Sequence, residues 1–166
     1  MSQNASPRRD SEETDLDRAA TLQLLIALGR AMKAIENGVR PHLAGHGLGM
    51  TEFAVLEVLY HKGPLPLGEI RDRILVTGAS TTYIVTKLEE RRLMRRRGSR
   101  EDKRVIFAEI TSAGRKLITE VFPAHVERLR QLMAGLSPSE KRTASQLLRK
   151  LAQYANAAEG RRVSEE

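Results

Sequence analysis

The chain has no cysteine and no tryptophan, and its 166 residues include only three tyrosines and three phenylalanines. Without thiols there can be no disulfide, thiolate metal site, cysteine nucleophile or redox switch, which suits a reducing compartment. So few aromatic rings leave little for stacking on unpaired bases, and that argues against a single-strand or RNA reader. No apolar run approaches the roughly 18 residues needed to cross a bilayer. Nor does an apolar stretch follow Arg8 and Arg9, as a secretory signal would require, so a cytoplasmic protein with no membrane partner is expected. A Gly-rich phosphate loop, a G-x-S-x-G elbow and a metal triad are all missing from the sequence. Neither an enzyme nor a cofactor is expected.

What is present is charge, and it is concentrated. Between Arg91 and Arg104 (RRLMRRRGSREDKR), eight cations stand against Glu101 and Asp102, giving +6 of a net +7 for the whole chain. The rest is nearly neutral. One electropositive edge of this kind is the footprint of a protein that grips a phosphate backbone.

Thr14 and Asp17 suit a helix opening, after which Leu25, Leu28, Met32, Ile35 and Val39 recur at spacings of three and four. Pro41 and the glycines at 45, 47 and 49 are expected to end that helix. Thr51 can cap a second one, TEFAVLEVLYHK, and a short helix follows from Leu67 to Ile74. A third candidate lies in VTGASTTYIVTKLEERR, with Thr77 and Ser80 as caps and Tyr83 or Ile84, then Lys87 or Leu88, marking its turns. The segments 93–97 and 104–110 have strand composition around Gly98 and Ser99, which predicts a hairpin with a basic tip. Thr111 caps a long helix through about Met133, and Ser137-Pro138-Ser139-Glu140 opens the last with a capping box. There Ala144, Leu147, Leu148, Leu151, Tyr154 and Ala155 form an apolar stripe.

Helix, short helix, helix, hairpin is the order of a winged helix-turn-helix. The fold class expected is mainly α with a small β-hairpin wing (α+β), flanked by long N- and C-terminal dimerisation helices. The apolar faces of those helices need a partner, and a second copy of the chain would supply it.

The runs MTEFAVLEVL, GPLPLGEI and VTGASTTYIVTKLEERRLMRRRGSREDKRVIFAEITSAG resemble the MarR family of bacterial transcription regulators over residues 48–120. Asp102-Lys103-Arg104 matches that family's D-x-R wing element, and Ile110 to Arg115 its strand-to-helix junction. Two departures stand out: Pro66 replaces a hydroxyl residue common in relatives, and Arg92 replaces a Gly common at the end of the recognition helix. The resemblance implies a homodimer, a palindromic operator in double-stranded DNA, and repression relieved by a small, often phenolic, ligand. The division it suggests is a disordered tail at 1–14, one MarR-like domain at 15–158 and a flexible tail at 159–166. Within the domain, 15–46 and 111–158 are dimerisation helices and 47–110 is the DNA-binding module.

A major groove about 12 Å wide admits one helix whose first turns carry short polar side chains. Ser80, Thr81 and Thr82 meet that description, and Thr86 and Lys87 lie a turn further on. Along the wing, Arg95 and Arg97 leave the strand on the face opposite to Arg96. Arg97 and the tip residues Arg100, Lys103 and Arg104 are candidates for phosphate or minor-groove contact. Like its counterparts in relatives, Asp102 would hold Arg104 through a charge-assisted bond. The alternative to a sequence-specific regulator is a nonspecific or nucleoid-associated binder without ligand control.

His42 and His46 stand four apart, yet Pro41 and Gly45 argue against a continuous helix there, and no carboxylate cluster completes a metal set with His61 or His125. No metal site is expected. The resemblance places a ligand pocket between the first, second and fifth helices, where Met32, His42, Phe53, Tyr60 and His61 would wall an aromatic effector. Met32, Phe53 and Tyr60 are equally well explained as core.

Overall fold

A computed structural model of the chain describes residues 7–74, 81–99 and 102–163. Its elements are α1 (Pro7–Gly45), α2 (Met50–Lys62), β1 (Leu65–Pro66), α3 (Leu67–Arg73), α4 (Thr81–Glu90), β2 (Met94–Gly98), β3 (Ile106–Ile110), α5 (Ser112–Leu132) and α6 (Pro138–Val163). The three strands form one antiparallel sheet in the order β1-β3-β2. This is the mainly helical winged helix-turn-helix that the order of elements predicts. No helix among the described residues is long and apolar enough to cross a membrane.

Four boundaries differ from expectation, each for a local reason. Helix α1 starts at Pro7 and α6 reaches Val163, so both run into the segments that composition marks as tails. Polar, charged residues cannot fill a core, but Glu, Arg and Ala are good helix formers. Helix α1 also continues through Pro41. It ends where Gly47 turns left-handed at φ 68°, with Gly47 N donating to Ala44 O at 2.9 Å and Leu48 N to Leu43 O at 3.0 Å. This is a Schellman arrangement, and the buried Leu43 and Leu48 supply its apolar contact. Helix α2 starts at Met50 rather than behind a Thr51 cap. Gly49 is its N-cap, and the Glu52 carboxylate accepts the Gly49 amide at 2.6 Å, so no hydroxyl is needed there.

Two compact units make up the chain, Met1–Arg128 and Leu129–Glu166. The core of the first draws on Val39 and Leu43 of α1, Val55, Leu56 and Leu59 of α2, Ile70 of α3, Val85 and Leu88 of α4, Met94 and Ala108 of the sheet, and Ile118 and Val121 of α5. The α1 seam grades along its length: Leu25 and Met32 are exposed, Leu28 and Ile35 half-buried, and Val39 buried. In the second unit the expected capping box is present, with Ser137 N donating to Glu140 Oε2 at 2.7 Å and Glu140 N to Ser137 Oγ at 3.3 Å. Leu147, Leu148, Leu151 and Tyr154 are exposed along α6.

The joint between α4 and the wing is a second Schellman turn. Arg92 N donates to Glu89 O at 2.8 Å and Leu93 N to Leu88 O at 2.9 Å. Arg92 sits at φ 56°, a conformation that costs a residue with a side chain about 1 kcal/mol or more. The left-handed turn survives the loss of Gly because the two bonds and the burial of Leu88 and Leu93 hold it. Pro66 ends β1 and serves as N-cap of α3, with β1 pairing Leu65 to Ala108 and Pro66 to Phe107 at the sheet edge. An edge is where a strand tolerates proline.

Candidate nucleic-acid interface and a buried histidine cluster

Helix α4 turns Ile84, Val85 and Leu88 inward and leaves Tyr83, Lys87 and Glu90 outside, which fixes the register left open by the sequence. Thr81 and Thr82 form its first turn, while Ser80 and Arg100 lie outside the described residues. Thr77 lies outside them as well. Tyr83 is 65% exposed, a large ring on the outward face of α4. In the sequence Tyr83 marks only a turn; the signal that it faces out is the stronger apolar pair Ile84 and Val85 beside it.

The arginine run does not act as one surface. Pairing Arg95 with Glu109 and Arg97 with Phe107 puts those two arginines on one face, and Met94 and Arg96 on the other. Arg95 is bound across the strand to Glu109 Oε2, at 2.9 Å from Nη2 and 3.0 Å from Nε. Arg96 reaches back to α4, donating from Nη2 to Thr86 Oγ1 at 2.7 Å and lying 3.2 Å from Glu89 Oε2. Thr86 is therefore already engaged from within the protein. Among the described residues, Arg92, Arg97, Lys103 and Arg104 have no carboxylate within ion-pair distance. Among the described residues of the run, these four are the basic groups left both without an ion pair and open to solvent.

Asp102 shapes the tip through the backbone. Its Oδ1 accepts the Arg104 amide at 2.8 Å, and its carbonyl accepts the Val105 amide at 3.0 Å, so the Arg104 side chain is not what it holds. The bond between Asp102 and Arg104 thus runs to the backbone amide, as an Asx-type turn. Ser99 Oγ accepts the Asp102 amide at 3.2 Å and Ser99 N donates to Val105 O at 2.9 Å, closing the hairpin.

Behind α4, Glu52 is buried on α2, with Oε1 at 3.0 Å from Arg91 Nη1 and 3.3 Å from Lys87 Nζ. Burial pushes this carboxyl up, but the Gly49 amide, the Lys87 ammonium and the Arg91 guanidinium outweigh it and leave it below the ordinary value. Lys87 thus looks inward as well as outward. The sequence does not mark Glu52 as functional.

A cluster of imidazoles lies where α1, α2 and α5 meet. The ring centroids of His42 and His46 are 5.2 Å apart, those of His42 and His125 6.3 Å, and those of Phe53 and His125 4.3 Å. The helix through Pro41 brings His42 and His46 together, contrary to expectation. Neither His42 Nε2 nor His125 Nδ1, both buried, has a hydrogen-bond partner among the described residues. Each such nitrogen costs about 1 to 3 kcal/mol relative to a bonded one. Of the five residues expected at a ligand site, His42 and Phe53 belong to this cluster. Tyr60 and His61 instead pack further along α2, with His61 beside Phe122 at 5.1 Å and the Arg115 guanidinium 5.3 Å over the Tyr60 ring. Met32 is exposed on α1. The spacing of Ile118, Val121 and His125 along α5 marks His125 as an inward-facing polar group, beyond its candidacy as a metal ligand. Among the described residues, no three His, Asp or Glu side chains are placed to hold a metal ion.

Burial first, and the neighbouring His42 second, hold His125 below its ordinary value of 6.5. The unfolded chain then takes up this proton at a higher pH than the folded one, so stability present above pH 6.5 is lost as pH falls through the lowered value. Thermal melts between about pH 7.5 and 5.5 should show the wild-type midpoint falling more than that of His125→Phe. Parallel curves would remove His125 as the cause. On α2, burial pushes the Glu57 carboxyl up against the pull of His61.

Comparison with known proteins agrees with this geometry. The MarR family model matches residues 48–106. The chain is 42% identical over 131 residues to the HTH-type transcriptional regulator MhqR of Bacillus subtilis, covering 79% of this chain and 90% of that one. Among solved structures, a MarR family regulator of Streptomyces coelicolor, Sco3205 in complex with DNA, superposes with a TM-score of 0.73 at 22% identity, covering 81% of this chain and 87% of that chain. Bordetella bronchiseptica BpsR, whose DNA binding is regulated by 6-hydroxynicotinic acid, superposes with a TM-score of 0.70 at 25% identity, covering 78% and 98%.

Proposed function

Because the chain belongs to the MarR family of DNA-binding transcription regulators, we propose that it is a homodimeric repressor that reads a palindromic operator and is released by a small aromatic ligand. The observation that carries the DNA part is the outward face of α4 beside a wing whose Arg97, Lys103 and Arg104 have no carboxylate partner among the described residues. Ser80, Thr81, Thr82 and Arg100 complete the proposed contact set, with Thr86, Lys87 and Asp102 positioning it. Exposed leucines on α1 and α6 support a dimer, since apolar faces of that extent are normally covered. For the ligand, Phe53 offers a ring wall, and His42 and His125 offer two buried nitrogens that a hydroxyl or carboxylate could satisfy. BpsR sets a precedent for control by a hydroxylated aromatic acid.

Selection of bound duplexes from a random pool tests the reading. The expected product is an inverted repeat with half-sites about 34 Å apart, preferred over random duplex by about a thousandfold or more. Equal competition by random duplex would instead identify a nonspecific nucleoid-type binder. Hydroxylated aromatic acids and quinones should then weaken binding to the selected duplex, and His125→Ala should remove that response while DNA binding persists. No effect across that class would leave a repressor without ligand control.

A further inference from the structure

The groups that hold a reading helix at its angle matter to recognition as much as those that touch bases, and here one of them is buried on a different helix. We propose that Glu52 is the positioning residue of α4, fixing its rotation and keeping Lys87 and Arg91 away from phosphate so that binding stays selective. The proposal rests on the reading that α4 enters the major groove.

Glu52 is only 2% exposed, and each of its two oxygens faces a donor. One oxygen takes the Gly49 amide at 2.6 Å, which ties the carboxylate to the α1–α2 turn. The other lies 3.3 Å from Lys87 Nζ and 3.0 Å from Arg91 Nη1. Lys87 on α4 and Arg91, the residue just past its end, are four apart, and Arg91 N donates to Lys87 O at 3.2 Å, so the two stand one above the other in helical register. Two attachment points along that line fix the roll and the slide of α4 against α2, which a single contact would not.

Charge gives a second consequence. The Lys87 side chain is 45% exposed and that of Arg91 33%, so both lie within reach of solvent at the edge of the basic region. Left alone, each would serve as a phosphate grip on any duplex. A buried carboxylate between them competes for both. Glu52 therefore lowers sequence-independent affinity while it orients the residues that read sequence, and both effects raise the ratio of specific to nonspecific binding.

That ratio is what an experiment should follow, because loss of a plain phosphate contact weakens selected and random duplexes alike. The full chain would be compared with Glu52→Gln, using a duplex that the wild type selects from a random pool and a random duplex of equal length. The expected result is a selectivity about tenfold lower, tighter binding of the random duplex, and a salt slope steeper by about 1 to 2 per protomer as the two cations are released. Affinities for both duplexes falling together, in step with a lower melting temperature, would reduce Glu52 to a stabilising residue and overturn the proposal. Unchanged selectivity in a folded variant would do the same. Should Glu52→Gln not fold, Arg91→Gln leaves the carboxylate bound to Lys87 and the Gly49 amide, and decides instead: selectivity about threefold lower supports the clamp. Retained selectivity overturns it. A wild type that itself prefers no sequence overturns the reading role of α4 and the proposal with it, and is recognised before any variant is made.

Discussion

Gly114→Ala is expected to destabilise the fold by about 3 kcal/mol or more, lowering the melting temperature by roughly 6 to 12 °C. Helix propensity alone predicts the opposite sign, since Ala is favoured over Gly inside a helix by about 1 kcal/mol. Space decides. A Cβ at Gly114 would overlap the carbonyl oxygen of Leu93 and come within 2.9 Å of Ile110 Cγ1. The obstructing oxygen is backbone, and it already accepts the Thr111 amide at 3.1 Å, so it cannot swing aside as a side-chain tip would. Thr111 tightens the same joint: its hydroxyl donates to Arg92 O at 2.7 Å and accepts the Gly114 amide at 3.1 Å. Start of α5, end of β3 and the α4–wing turn are thus pressed together at one point. Gly68→Ala, on a helix where an added Cβ meets nothing within 4 Å, is the control, expected to stabilise by about 0.5 kcal/mol. Melts in which both variants shift the same way would show that crowding at Gly114 is not the governing effect.

Raising salt from 50 to 200 mM is expected to weaken duplex binding by about a thousandfold or more for a dimer that engages roughly 6 to 10 phosphates. The physical cause is release of counterions condensed on DNA, and the slope counts the cations that replace them. Which cations count follows from the pairing in the wing. Arg97→Ala and Lys103→Ala should each flatten the slope by about 1 per protomer. Arg96→Ala should leave the slope unchanged, because that guanidinium is held by Thr86 and Glu89. Filter binding or anisotropy across the salt range measures all four proteins. A flat response in the wild type would sink the electrostatic account of binding, and a slope equally flattened by Arg96→Ala would show that the ion pairs with α4 open on contact with DNA.

Much of this molecule is legible in short stretches of sequence. Thr111 as the cap of α5 and the Ser137–Glu140 box of α6 appear where the residues predict, because a cap bonds to amides two or three positions away. The split of Arg95 and Arg97 from Arg96 is equally local, since alternation along a strand needs no tertiary information. Strand β1 was invisible: two residues carry no periodicity, and Leu65 and Pro66 become a strand only by pairing with Phe107 and Ala108. The ligand-site expectation failed to gather its five residues for a related reason. Phe53 and Tyr60 lie on one helix, but they pack against different parts of α5, one beside His125 and the other beneath Arg115.

By itself, then, the sequence determined the order of elements, their caps, the basic wing and the family pattern, all set by neighbours within a few residues. The tertiary structure decided which charges are free to meet DNA and which are already bound. Glu52 and Arg91 stand 39 positions apart, and Arg96 and Thr86 ten. A net charge of +6 over fourteen residues can be counted from the sequence. Its division into clamps and contacts depends on carboxylates that only folding brings within 4 Å.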